Sequence, residues 1–197
     1  MNNDLIKILN ELTAVWEKNN APILDKLAPG IDISGESIPS FTGELPKEVR
    51  ELYRWKNGIR TGNSQDLIGA LKIFELGIFM PFDRVKLIQQ EFANDELGWD
   101  AAKLPLFEGG GGEYFLIECD AALDTYGCIY YHSIGQVDFD RIISIYDSLY
   151  TLFAGVLENN KNGNYTYDAQ GILEVEYDRS SQVMKALNPV SGYWKLF

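Results

Sequence analysis

Apolar residues recur every three or four positions at Leu5, Ile8, Leu9, Leu12, Val15 and Trp16, behind Asn3 and Asp4, whose side chains can accept from the free amides of a first turn. This spacing predicts an amphipathic helix that stops before Pro22. Pro29, Gly30, Gly35 and Pro39 then break the chain into loop, with at most a short extended piece. A second stripe, Val49, Leu52 and Tyr53, follows Pro46, whose missing N–H suits a first helical turn; Asn57-Gly58 reads as its left-handed stop. A third helix is predicted from Asp83 through Val85, Ile88 and Phe92 to the break at Gly98. Between them, residues 67–80 are apolar but punctuated by glycine, and one short strand is expected near 71–74.

From residue 104 the period shortens. Leu104-Pro105-Leu106-Phe107, four glycines at 109–112, and Tyr114-Phe115-Leu116-Ile117 read as strand, turn, strand, and Cys128-Ile129-Tyr130-Tyr131 as the next strand after a turn at 121–126. Ile142, Ile143 and Ile145 make a further strand. A helix capped by Asp147 or Ser148 then buries Leu149, Leu152, Phe153, Val156 and Leu157, and residues 159–163 end it. The tail holds an alternating piece at Leu173, Val175 and Tyr177, then a helix over about 179–187 stopped by Asn188-Pro189. The expected fold is α+β: a single domain with a mostly antiparallel sheet covered by helices, residues 161–197 forming a C-terminal extension packed on a domain of residues 1–160. Leu12, Trp16, Leu52, Leu116, Ile129, Leu152 and Phe153 are expected in one core.

Composition narrows the function. The 197 residues include 29 acidic and 17 basic side chains, a net charge of −12, and the pI is near 4.5. Such a chain repels phosphate backbones and anionic headgroups, so direct nucleic-acid and membrane binding are disfavoured, whereas a basic protein partner is not. No run of about eighteen apolar residues is present, and the first residues lack the basic start of a secretion signal, so the chain reads as cytoplasmic. Cys119 and Cys128 form no CxxC and have no ligand-spaced neighbours; both are expected as reduced thiols, with no metal and no cofactor.

Candidate chemistry is sparse. The glycine run could cradle an anion, but no Gly-Lys-Ser/Thr follows, and Glu108 and Glu113 bracket it with negative charge; a flexible hairpin turn is the better reading. His132 is the single histidine, so any relay through Cys119, Cys128 or Ser133 depends on it alone, and a satisfied or exposed strand-end histidine is expected. Among 29 acids a pair such as Glu113 and Glu118 carries no information about glycosidic catalysis.

The ordered set of segments says more. Glu44-Leu45-Pro46, the helix through Leu52-Tyr53-Arg54-Trp55, and Asn57-Gly58 resemble the Leu-Pro-helix-Asn-Gly signature of the SUKH superfamily, the cell-wall-assembly-regulator-like domains. The 104–117 hairpin is similar to that family's central hairpin, Gly127-Cys128-Ile129-Tyr130 to its next strand and residues 145–157 to its closing helix; Gly112-Glu113 stands where the family has Gly-Asp. The resemblance, over about 2–157, implies a non-enzymatic immunity protein that binds and neutralises a cognate bacterial toxin domain, often a nuclease, by occlusion. The alternatives are a SUKH-like regulatory scaffold and an unrecognised hydrolase using His132. For a toxin with a basic active-site surface, the candidate partner-binding acids are Glu108, Glu113, Glu118, Asp120, Asp124, Asp138 and Asp140, which follow one another along adjacent strands and turns.

Overall fold

A five-stranded antiparallel sheet lies at the centre of the computed structural model, which describes residues 4–60, 66–96, 98–134 and 142–196. Its helices and strands, in chain order, are α1 (Leu5–Lys18), α2 (Ile23–Lys26), β1 (Leu27–Pro29), α3 (Lys47–Trp55), β2 (Lys56–Ile59), β3 (Ile78–Phe79), α4 (Phe82–Phe92), β4 (Lys103–Glu108), β5 (Glu113–Glu118), β6 (Ile129–Ser133), β7 (Ile142–Tyr146), α5 (Leu149–Lys161), β8 (Tyr165–Tyr167), β9 (Leu173–Val175) and α6 (Tyr177–Leu187). Strands β3 to β7 pair in sequence order as a meander, and β1–β2 and β8–β9 form two small antiparallel pairs. This is the expected α+β architecture.

The apolar stripes at 5–16, 49–53 and 149–157 form α1, α3 and α5, as their periods predict. Asp4 caps α1, accepting from Lys7 N at 3.2 Å, and buries Leu5, Leu9, Leu12 and Trp16 on one side. Ser148, not Asp147, caps α5 in a reciprocal box with Thr151. Aromatic rings then run from helix to sheet: Trp16 stacks on Trp55 at 6.2 Å, Trp55 meets Phe153 edge-on, and Phe153 reaches Phe107 in β4. All seven residues of the expected core lie in this one cluster.

The central strand is closed on both sides. Phe115 of β5 contacts Phe74 and Tyr131, while Tyr114, on the opposite face by strand alternation, packs against Trp99 and against Phe92 at the end of α4. Hence four consecutive residues, Tyr114, Phe115, Leu116 and Ile117, are buried, the pattern of a strand covered on each face.

Three local readings need correction. The stretch 71–74 is not a strand: Ile68–Leu71 is a 3-10 turn and the strand is Ile78–Phe79, because Phe74 folds back across Gly77, where a Cβ would sit 2.2 Å from its ring. Gly58 is left-handed (φ +70°) but lies inside β2, not at the end of α3; its conformation lets the backbone of Met80 and Pro81 approach to 2.3 Å of a would-be Cβ. Asp83 lies within the first turn of α4, and Pro81 holds the capping position.

Candidate functional site

Antiparallel register distributes the candidate acids along β5. Glu108 ends β4 opposite Tyr114, and Glu113 opens β5 opposite Ser133, so both lie at the glycine-hairpin end. Glu118, Asp120 and Asp124 lie at the other end, where β5 turns into β6. Six residues of strand separate the two ends by roughly 17–20 Å. Asp138 and Asp140 lie outside the described residues, between Ile134, whose N–H donates to Gly112 O, and Ile142.

At the hairpin end the glycines have a local cause. Gly110 and Gly112 are left-handed, and the Glu113 side chain folds back over the turn, its Oε2 accepting from Gly111 N at 2.9 Å. A Cβ on Gly109 would meet that same oxygen at 2.7 Å. The run is thus a turn wrapped on its own carboxylate. Glu108 faces Arg84 at 3.6 Å. Beside them Leu67 and Ile68 stand 56% and 52% exposed, with the Ile68 side chain against Gly110.

The other end is built differently. Glu118 shares the 114, 116, 118 face and is only 1% exposed. Lys103 Nζ lies 2.6 Å from its Oε2, and its Oε1 accepts from the N–H groups of Cys119 and Asp120 at 3.1 Å each. An acid so enclosed holds the start of the turn and cannot meet a partner in the folded protein, which corrects its place among the surface candidates. Asp120 accepts from Ala122 N at 2.9 Å; Asp124 is exposed. Leu123 and Tyr126 are exposed on the same turn, and the Tyr126 hydroxyl is held above its ordinary pKa by partial burial and then by Glu44. Glu44 N donates to Cys119 O at 2.7 Å, which seats the start of the α3 segment against this turn. A cleft of about 370 Å³, lined in part by Glu36, Glu44 and Arg50, opens from that segment. Sequence reasoning missed Glu44, Leu123 and Tyr126; only the turn signal at 121–126 pointed toward them.

The catalytic alternative fares poorly on geometry. His132 is fully buried inside β6 and meets Trp99 edge-to-face, not at an exposed strand end. Cys128 lies four residues back along the same extended backbone, roughly 13 Å away, and Cys119 lies beside it across the register. A thiol–imidazole relay needs about 3 Å. Burial, followed by the Glu118 charge, pushes the Cys119 thiol far above its ordinary value, and burial raises Cys128 too, so neither is an activated nucleophile. Both are free cysteines. Among the described residues no group of three His, Cys, Asp or Glu side chains is arranged to hold a metal, and no helix is long and apolar enough to cross a membrane.

Comparison with known families matches residues 40–155 to the SMI1 / KNR4 family (SUKH-1). The match runs from the segment before α3 into α5, more than half of the 197 residues, and leaves α1 and the chain after 155 outside it. Comparison with curated proteins returns no match.

Proposed function

From the premise that this chain belongs to the SMI1 / KNR4 family (SUKH-1), we propose that it is a cytoplasmic, non-enzymatic immunity protein that neutralises a toxin domain by covering its basic active surface. The observation that carries this reading is the pairing of charge with exposed apolar area at the ends of β5: Glu108 and Glu113 beside Leu67 and Ile68, Asp120 and Asp124 beside Leu123 and Tyr126. Protein interfaces combine a few apolar or aromatic anchors with a polar rim, and complementary charge speeds encounter. A net charge of −12 would compete with nucleic-acid phosphates for the cations of a nuclease channel.

Co-purification from the native host followed by identification of the bound protein tests the role. Association rates then test the surface. Binding should slow steeply with added salt, and reversing Glu108 and Glu113, or Asp120 and Asp124, should slow it more than reversing Glu17 on α1. Glu17 is the better control because Glu11, on the same helix, pairs with Lys161. A tight complex insensitive to salt and to both double reversals would overturn the acidic-surface reading.

A further inference from the structure

A buried carboxyl lies where the chain beyond the family match packs on the domain, a joint also held by bonds between Asn188, Ser191 and Trp194 and residues 144–147. Glu75 sits in the turn between Phe74 and Gly77, where Ile73 N donates to Gly77 O and Gly77 N to Phe74 O. Phe74 is wedged between Phe107, Phe115 and Tyr146, so the turn is fixed and the side chain beside it cannot swing to water. Glu75 is 7% exposed, and its Oε2 is buried without a hydrogen-bond partner among the described residues.

Its surroundings come from both the sheet side and the C-terminal segment. Ser180 of α6 contacts the carboxyl directly. That hydroxyl also accepts from Asn159 Nδ2 at 3.1 Å and reaches Tyr165 Oη at 3.3 Å, which ties α5, α6 and β8 into one polar joint. Tyr146 of β7 and Tyr193 of the last turn, Tyr193–Lys195, both lie within the field of Glu75. Lys72 is the one charged side chain acting on the carboxyl among the described residues, and its ammonium donates to the Glu75 backbone carbonyl at 3.2 Å. Other nearby charges face away: Asp178 and Arg179 are exposed, Asp147 is turned to the amides of Val190 and Ser191, and Lys195 donates to Val190 O.

We propose that Glu75 is a proton-controlled latch: its neutral carboxyl helps keep α6 seated on the domain, and loss of that proton loosens it. For an ionised carboxylate here a backbone N–H, the Ser180 hydroxyl and the field of Lys72 offset only part of the desolvation, and separation of α6 would let water reach the joint. Burial pushes the Glu75 carboxyl up to about 7 from its ordinary 4.5. The sign follows: the folded pKa is raised, so the seated form is fully favoured below 4.5 and loses that advantage as pH rises through about 7. The surface uncovered is the side of α5 at Gly155, where Met184 packs so closely that a Cβ would lie 2.4 Å from its sulfur. Small pH changes would therefore expose or cover an apolar face distinct from the acidic ends of the sheet.

Two measurements on the full chain test the latch. The Glu75 side-chain carboxyl carbon, followed by NMR, should titrate with a midpoint near 7. Amide-exchange protection, corrected for intrinsic rates, should show the opening of α6 rising roughly thirtyfold between about pH 5.5 and about pH 8.5, while β5 does not follow. Glu75→Gln, neutral at every pH, should abolish that rise. A carboxyl midpoint near 4.5, equal α6 protection at both pH values, or an unchanged rise in Glu75→Gln would overturn the proposal. Should the variant fail to fold, the carboxyl midpoint of the unaltered protein decides.

Discussion

Glu118 and Glu75 are both nearly closed to water, at 1% and 7% exposure, yet their charges are met in different ways. Glu118 stands in a sheet whose register brings Lys103 directly opposite it, and the turn that follows aims two N–H groups at its free oxygen. Glu75 stands where a turn of the family domain meets α6 and the last turn of the chain, and its nearest ammonium is bonded to a backbone carbonyl. Regular pairing positions a counter-charge as a by-product of register. A joint between separately formed elements has no such device, so a proton takes its place.

The contrast breaks most visibly at Lys103. Lys103→Met should leave Glu118 buried without its cation and cost about 3–5 kcal/mol in urea unfolding. Adding Glu118→Met should restore most of that loss, because removing both members of a buried pair is often neutral; no recovery would mean the pair is not what makes the single change costly. Leu152→Ala, in the helix that covers the sheet, sets the apolar scale: about 2–5 kcal/mol for a fully buried leucine. An unchanged midpoint would remove it from the core. Glu75 sharpens the comparison through pH. Glu75→Gln should match the parent below about pH 5 and exceed its stability by about 3 kcal/mol at pH 8, since the upward shift from 4.5 to about 7 is a penalty on the ionised form. Equal stability at pH 8 would contradict it. Asp124→Lys should move stability by less than about 0.5 kcal/mol, as expected of an exposed turn residue, whatever it does to partner association.

Much of the fold was legible because it rests on period. The stripes of α1, α3 and α5 and the short apolar runs of β4 to β7, set off by turn residues, are each a pattern that one geometry satisfies. Residues 67–80 were not legible, since their path is set by contacts between distant segments: the Phe74 ring over Gly77 and against β4, β5 and β7, and Gly58 under the Met80–Pro81 backbone. The acidic set follows adjacent strands and turns along the chain, yet charge alone does not say which way a carboxylate points. Glu118 carried a usable warning, for it continues the Tyr114, Leu116 alternation onto the same buried face. Glu75 carried another, a lone acid inside Ile73-Phe74-Glu75-Leu76. Glu113 could not have been anticipated as the clasp of its own glycine turn, because only folded geometry brings its Oε2 onto Gly111 N.

The bond from Trp16 Nε1 to Asn160 Oδ1 spans 144 residues and joins the first helix to the one that closes the family fold. On a ribosome adding about 5–20 residues each second, α1 must wait about 7–30 s after its own synthesis before α5, one of the two helices it packs on, exists. Until then Leu5, Leu9, Leu12 and Trp16 have only the part of their cover that α3 supplies through Trp55. The nascent chain therefore carries a half-covered apolar helix while residues 56–160 are made, and chaperone demand should fall once about residue 160 has cleared the exit tunnel.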